Sequence, residues 1–146
     1  MKIVVSACLL GENCKYNGGN NRCEAVLDFV KNHEVIAVCP EQMGGLSTPR
    51  QPAELVNGVA TSVDGICVDN AFRKGAQMAA DLALKEGAEM AILQPRSPSC
   101  GSKQIYDGTF SKRLISGQGV FARMLSELNI RILEPEDLPS EDLERP

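Results

Sequence analysis

Residues 2–8, KIVVSAC, open the chain with a short β-branched apolar run that stops at a cysteine. Two further runs end in the same way: Cys39 follows EVIAV at 34–38, and Cys100 lies just past MAILQPRSPS at 90–99. Runs of this length and composition are typical of buried β-strands. If the three strands are parallel neighbours, their thiols meet at the carboxyl edge of one sheet, where open α/β folds bind ligands.

Helical patterns alternate with these runs. They predict helices over 22–32, capped by Asn20 or Asn21, over 70–86, stopped by Gly87, and over 120–128. Residues 90–93 and 130–133 are predicted as the third and fourth strands. Between 55 and 69, the pairs Asn57-Gly58 and Asp64-Gly65 are strong tight-turn signals and predict a small β-excursion at the edge. The segment 94–119 has little periodicity and reads as a long irregular loop, which in compact domains is usually functional.

This order predicts a single-domain, doubly wound, Rossmann-like α/β fold. We expect three layers and a mostly parallel four-stranded sheet in the order 2-1-3-4, with right-handed crossovers and a small edge hairpin. The domain should cover residues 1–135, followed by an acidic C-terminal tail over 136–146 that frays.

The composition narrows the class of partner. The chain has 146 residues, a formal net charge of −4, 4% aromatic residues and no Trp, which argues against nonspecific binding to nucleic acid. No apolar run reaches the length of a membrane span, and the first residues read as a strand rather than a signal peptide, so a cytoplasmic location without membrane partners is expected. Six cysteines in a reducing compartment are then ligands, nucleophiles or core residues rather than disulfides.

Three convergent thiolates without a fourth partner describe a metal or cluster site with one open position, as catalysis requires. Soft thiolates select zinc, Cu(I) or iron–sulfur clusters. Cys8, Cys39 and Cys100 lie too far apart in sequence for a zinc ribbon, whereas iron–sulfur clusters accept scattered ligands. The alternative is that all three are ordinary buried core cysteines.

Two short motifs surround these thiols. In Cys39-Pro40-Glu41 the carboxylate points into the same cleft and can move protons, although it could equally serve a helix N-terminus or pair with Arg50. The stretch 96–101, RSPSCG, adds two hydroxyls that orient a water or substrate, or that only satisfy the backbone of a turn. Ser99 is a further cleft candidate. Five basic residues in the loops near the mouth hold a phosphate, balance cluster charge or are merely solvated: Arg50, Arg96, Lys103, Lys112 and Arg113.

Six ordered motifs together resemble the thiouracil desulfidase family, formerly domain of unknown function 523. They are SACLLG (6–11), CPE (39–41), GGLSTPR (44–50), SPSCG (97–101), YDGTFS (106–111) and GQGV (117–120). The resemblance runs from residue 1 to about residue 135. It implies a [4Fe–4S] cluster held by Cys8, Cys39 and Cys100, with one iron not bound by protein. It also implies that Glu41 is the acid/base, that Ser97 assists, and that water replaces the sulfur of a thiolated pyrimidine.

Several alternatives stay open. Cys14, Cys23 and Cys67 lie outside the three-ligand pattern, and the first two are close enough to Cys8 to compete for metal or to oxidise. An air-prepared sample could hold zinc or an empty site. A free base or nucleoside is favoured over tRNA, since the chain is acidic and lacks a second domain.

Two other functions share these thiols. A non-catalytic cluster- or zinc-binding module would use the cysteines without needing Glu41 or Ser97. A metal-free thiol enzyme of the low-molecular-weight phosphatase type would use Cys8 as nucleophile, but it needs an Arg at position 14, which is Cys.

Overall fold

The computed structural model describes residues 1–138. Within that span the chain forms β1 Lys2–Ser6, α1 Glu24–Val30, β2 Glu34–Val38, α2 Pro40–Met43, β3 Ala53–Val56, β4 Val59–Ser62, α3 Asp69–Glu86, β5 Met90–Ile92, β6 Gln104–Tyr106, β7 Leu114–Ser116, α4 Val120–Glu127 and β8 Arg131–Leu133. Two short 3-10 turns cover Ala7–Leu10 and Pro135–Asp137. The predicted fraying of the tail falls mostly on residues 139–146, outside the described residues.

A four-stranded sheet forms the centre of the molecule, in the order β2-β1-β5-β8. Every neighbouring pair in it is parallel, so the expected order 2-1-3-4 is confirmed. On one face, Ile3 and Val5 pack with Val26 and Val30 of α1. The other face packs against α3 and α4. These are the three layers of a doubly wound α/β fold.

Strand β1 is central in the sheet and is buried on both faces from Ile3 to Ser6. Val4 joins the core cluster of α3 and α4, whereas Ile3 and Val5 join that of α1. Strand β2, expected to be buried, is instead an edge strand that pairs with β1 alone, and its Val35 is 38% exposed. Successive side chains of a strand point to opposite faces of the sheet. In β2 only Ile36 and Val38 are covered, and the other residues of the strand are exposed.

Helix α3 holds the one-turn helix α2 by close backbone contact. A Cβ on Gly75 would lie 1.7 Å from the carbonyl oxygen of Pro40, and one on Gly44 would lie 1.9 Å from that of Ala71. No side chain larger than hydrogen fits at either position. This contact fixes the residues that follow β2. Helix α3 ends at Gly87 in the left-handed conformation, as predicted.

Three local expectations were wrong. Helix α1 begins at Glu24, so neither Asn20 nor Asn21 caps it, and the first strand ends at Ser6 because a 3-10 turn follows. The segment 94–119 contains the hairpin β6–β7 rather than only irregular loop.

The predicted β-excursion is the hairpin β3–β4, turned at Asn57-Gly58. No helix among residues 1–138 is long and apolar enough to cross a membrane.

Candidate functional site

The carboxyl ends of three adjacent strands carry the three cysteines. Cys8 lies in the 3-10 turn after β1, and Cys39 follows β2 directly at the start of α2. Cys100 lies in a turn beyond β5 that is docked onto α4, whose first N–H groups, at Val120 and Phe121, donate to backbone carbonyls of that turn at 3.0 and 2.9 Å. The fold therefore brings these thiols to one edge of the sheet, as the strand order predicted.

A fourth thiol, that of Cys14, lies between Cys8 and Cys39. Hydrogen bonding with Cys39 and Cys8 raises the pKa of the Cys14 thiol strongly, and burial adds to this effect. The same Cys14 contact lowers the pKa of Cys8 against the opposing effect of burial, and it lowers the pKa of Cys39 to about 7. Cys14 is only 5% exposed. The contact with Cys14 therefore favours ionisation of Cys8 and Cys39 over ionisation of Cys14.

Cys100 differs from Cys8 and Cys39, which are partly exposed, because it is buried away from water. Burial raises the pKa of the Cys100 thiol to about 12, although hydrogen bonding with the Ser6 hydroxyl opposes this. The negative charge of Cys8 raises it further, which shows that Cys8 and Cys100 are electrostatic neighbours. A bound cation or cluster would be needed to hold Cys100 as a thiolate near neutral pH.

Glu41 joins the two motifs that flank the thiols. Its Oε1 accepts a hydrogen bond from Arg50 Nε at 3.1 Å, and its Oε2 accepts one from Ser99 Oγ at 2.9 Å. The Glu41 and Arg50 side chains are 16% and 10% exposed, so this ion pair is largely shielded from water. Glu41 thus pairs with Arg50, lies in the first turn of α2 and also lines the cleft. The three roles predicted as alternatives for this carboxylate from the sequence are therefore compatible.

The two serines have different partners. Ser97 Oγ accepts the backbone N–H groups of Ser99 and Cys100 at 3.1 and 3.0 Å, which is the turn-closing role. The two hydroxyl oxygens are 3.0 Å apart. Because the single Ser99 proton goes to Glu41, Ser97 must be the donor in that contact. The family resemblance implied that Ser97 is the assisting serine, but the serine that contacts Glu41 in the structure is Ser99.

The basic candidates from the sequence differ in where the structure places them. Arg50 belongs to the site, since its Nη2 also donates to the Cys14 carbonyl at 2.9 Å. Lys103 is instead held by Asp137, with Nζ to Oδ1 at 2.5 Å, on the side of the C-terminal turn. Arg96, Lys112 and Arg113 are exposed.

A cavity of about 140 Å³ adjoins Glu41 and Arg50. Its remaining walls come from the loop after α2, the β3–β4 hairpin and α3, and comprise Leu46, Gln51, Ala53, Ser62, Asp64, Ile66, Val68 and Phe72. Apolar walls with a few convergent polar groups are typical of small-molecule sites. Because Glu41 also bonds to Ser99, it lies between this cavity and the turn of Cys100.

The donor set bears on which group the site could hold. Among residues 1–138, no three or more His, Cys, Asp or Glu side chains are gathered tightly enough to hold one metal ion. The thiols of Cys8, Cys39 and Cys100 nevertheless share one sheet edge and are soft donors. In an iron–sulfur cluster each thiolate binds a different iron, so its ligands need not surround one point. The donor chemistry therefore fits a cluster.

Two residues near the thiols escaped the sequence reasoning. Cys14 was noted only as a competitor for metal, and Asn21, considered only as a helix cap, donates from Nδ2 to Cys8 Sγ at 3.6 Å. The signal that could have found Cys14 is its position six residues after Cys8, across one tight turn. Asn21 carried no comparable signal, because its contact depends on the path of the loop.

The fold is that of a Rossmann-like α/β protein, and it gathers several thiols at the carboxyl edge of its sheet as a candidate ligand site. A family model described as 2-thiouracil desulfurase matches residues 3–137. The uncharacterized protein YbbK of Bacillus subtilis (strain 168) is 37% identical over 146 residues, covering 93% of this chain and 97% of the relative. The solved structure of [4Fe-4S]-dependent thiouracil desulfidase TudS (DUF523Vcz) superimposes with a TM-score of 0.90 at 37% identity, covering 98% of this chain and 95% of the other. The chain therefore belongs to the 2-thiouracil desulfurase family, as its motifs indicated.

Proposed function

We propose that this protein removes sulfur from a thiolated pyrimidine, replacing it with oxygen from water, and that it uses a [4Fe–4S] cluster. The observation that carries this proposal is the bond from Ser99 Oγ to Glu41 Oε2 at 2.9 Å. It ties a carboxylate to the turn that bears one candidate cluster thiol. A protein that merely stored a cluster would not need a fixed proton acceptor at that position.

In this proposal Cys8, Cys39 and Cys100 hold the cluster and leave one iron free of protein. When bound, the cluster supplies a Lewis acid with affinity for the sulfur of the substrate. The contact with Cys14 lowers the pKa of the Cys8 and Cys39 thiols, whereas burial raises the pKa of the Cys100 thiol to about 12. The Cys100 thiol therefore has to lose its proton as the cluster is inserted.

Glu41 takes a proton from the attacking water and passes it to the departing sulfide. The water oxygen forms the new bond to the ring carbon, the C–S bond breaks, and both protons of the water leave with the sulfur as hydrogen sulfide. The Glu41 carboxylate is suited to this proton transfer because two donors fix its orientation, Arg50 on one oxygen and Ser99 on the other. Ser97 acts behind Ser99, to which it donates, and keeps the Ser99 hydroxyl turned towards Glu41. The chemistry is hydrolytic and needs no net electron transfer.

The substrate proposed is a free base or a nucleoside. The cavity beside Glu41 has a volume of about 140 Å³, below the roughly 300–1,000 Å³ of drug-sized sites. A single heterocycle suits that space, and the acidic chain does not favour tRNA.

The test is turnover of thiouracil by protein that has been purified without oxygen and reconstituted with iron and sulfide. Loss of the thiocarbonyl absorbance and release of sulfide are followed together. We expect Cys39→Ala to lose both cluster and turnover, and Glu41→Gln to keep the cluster but lose turnover by about 100-fold or more. Glu86→Gln, on the exposed end of α3, is the matched control and should behave as wild type.

Robust turnover by iron-free protein or by Cys39→Ala would refute the proposal. A cluster that survives in Glu41→Gln with undiminished turnover would refute the role of Glu41 alone. Stable cluster binding without any sulfide release from thiouracil or thiouridine would favour the non-catalytic module.

A further inference from the structure

The loop of residues 11–23, between the 3-10 turn and α1, contacts the thiols of Cys8 and Cys39. Its backbone is anchored at both sides: Asn21 N donates to Cys8 O at 2.9 Å, and Arg50 N donates to Tyr16 O at 2.7 Å. The Arg50 guanidinium adds a bond to the Cys14 carbonyl at 2.9 Å. The loop is therefore positioned by the same residues that build the site.

Asn21 directs its side-chain amide at a candidate ligand sulfur. The distance from Nδ2 to Cys8 Sγ is 3.6 Å, and the backbone bond between the same two residues fixes the approach. An amide N–H offered to a thiolate is a charge-assisted hydrogen bond, which is stronger than a neutral one.

Cys14 lies in the same loop but does not take the donor's part in its contact with Cys39. The Cys39 thiol donates to the Cys14 carbonyl oxygen at 3.8 Å. Asn21 is therefore the loop residue whose side chain is placed as a donor to a candidate ligand sulfur.

We propose that Asn21 is a positioning residue that donates a hydrogen bond to the ligand sulfur of Cys8. The inference rests on the proposed cluster and goes beyond the three ligands and the catalytic carboxylate. Such outer contacts orient metal ligands and tune the electronic character of the site. Hydrogen bonds to cluster sulfurs withdraw charge from them and shift the reduction potential upwards.

The test measures the cluster rather than catalysis. Reduction potential and iron loss to a chelator are compared for reconstituted wild type, Asn21→Ala and Asn21→Asp. We expect Asn21→Ala to have a more negative potential and to lose iron about tenfold faster or more. The potential of Asn21→Asp, which removes the donor and adds charge, should be lower still.

Two matched controls separate donation from simple loosening of the loop. Asn20→Ala removes exposed bonds to Asn13 and to the Arg22 N–H in the same loop but touches no thiol. Cys67→Ala removes an exposed cysteine far along the chain. Both should keep the wild-type potential.

A potential of Asn21→Ala equal to that of wild type would overturn the inference while leaving the proposed function intact. A shift in Asn20→Ala as large as that in Asn21→Ala would also overturn it, because loop structure would then be the cause. Iron and sulfide analysis of the wild type comes first. If reconstitution yields no cluster, the proposed function fails and this inference fails with it. If a cluster forms but the Asn21→Ala potential is unchanged, the inference alone fails.

Discussion

Ser99 donates its hydroxyl proton to Glu41 across 2.9 Å, and so joins the turn of Cys100 to the helix that follows Cys39. The two residues are 58 positions apart in sequence. Ser99 is 2% exposed, so water cannot easily replace the bond. The orientation of the Glu41 carboxylate therefore depends on Ser99, which lies in the turn beyond a different strand, β5.

Replacing this serine should impair turnover without releasing the cluster. Ser99→Ala removes a hydrogen bond to a charged acceptor, a contact that contributes about 1.5–3 kcal/mol. If that bond orients Glu41 in the transition state, turnover should fall by about 10- to 100-fold. Steady-state desulfurisation and iron content of reconstituted protein provide the measurements.

The matched control is Ser116→Ala, on the exposed strand β7. It should leave both turnover and iron content unchanged. Wild-type turnover in Ser99→Ala would show that Arg50 alone orients Glu41.

A second prediction concerns the close contact between α2 and α3. Gly75→Ala would place a methyl group 1.7 Å from the carbonyl oxygen of Pro40, so one helix must move. We expect the free energy of unfolding to fall by about 3 kcal/mol or more, since backbone rather than a flexible side chain has to give way. Cluster retention should fall as well, because α2 begins immediately after Cys39.

Denaturant unfolding measures the first effect, and iron content after reconstitution measures the second. Lys74→Ala, one residue earlier on the exposed face, serves as control and should stay within about 0.5 kcal/mol of wild type. Unchanged stability in Gly75→Ala would mean that α2 can shift freely, contrary to its assumed role in fixing Glu41.

The sheet could be predicted from the sequence because its signals are local. The run at 2–8 needs only apolar β-branched residues, and Asn57-Gly58 needs only two turn residues. Parallel order then follows from the intervening helices and the handedness of their crossovers. The meeting of Cys8, Cys39 and Cys100 at one edge was a consequence of that topology.

Features that depend on long-range contacts could not be predicted in this way. Strands β6 and β7 lie among polar loop residues and lack the continuous apolar run that marks β5, which is equally short. Helix α2 is a single turn whose place is fixed by Gly75 from another element. The contacts from Asn21 to Cys8 and from Ser99 to Glu41 require the folded loops, and motif position alone favoured Ser97 over Ser99.

A third prediction concerns the turn of the β6–β7 hairpin. Glu54 Oε1 accepts the backbone N–H groups of Gly108 and Phe110 at 2.9 and 3.1 Å, so one carboxylate oxygen holds the YDGTFS turn on β3. Glu54→Ala leaves both N–H groups without this acceptor and should lower the free energy of unfolding by about 1–3 kcal/mol. Glu54→Gln keeps a carbonyl oxygen and should lose less.

Thermal and urea unfolding of the two variants provide the comparison. Amide hydrogen exchange at Gly108 and Phe110 should accelerate in Glu54→Ala and remain closer to wild type in Glu54→Gln. Equal destabilisation by the two substitutions would indicate that charge, rather than the acceptor oxygen, is what the turn requires.

The last prediction follows from Asp69, at the start of α3. Burial disfavours its charged form, but the Ala60 N–H at 2.9 Å and the Arg73 guanidinium at 2.7 Å outweigh burial. The pKa of the Asp69 carboxyl in the folded protein therefore lies below its ordinary value of 3.8. A carboxyl with a depressed folded pKa stabilises the fold above its unfolded pKa, and this contribution is lost as the pH falls through the folded pKa.

Asp69→Asn should consequently destabilise the protein by a constant amount from about pH 5 to pH 7, and by progressively less as the pH drops below about 4. The difference between the urea-unfolding free energies of wild type and variant isolates this group, because the other carboxyls are common to both proteins. Met78→Ala, a non-titrating change in the same helix, should give a difference that does not vary with pH. A wild-type advantage over Asp69→Asn that grows on acidification would have the wrong sign, and it would mean that burial, not the two donors, dominates the ionisation of Asp69.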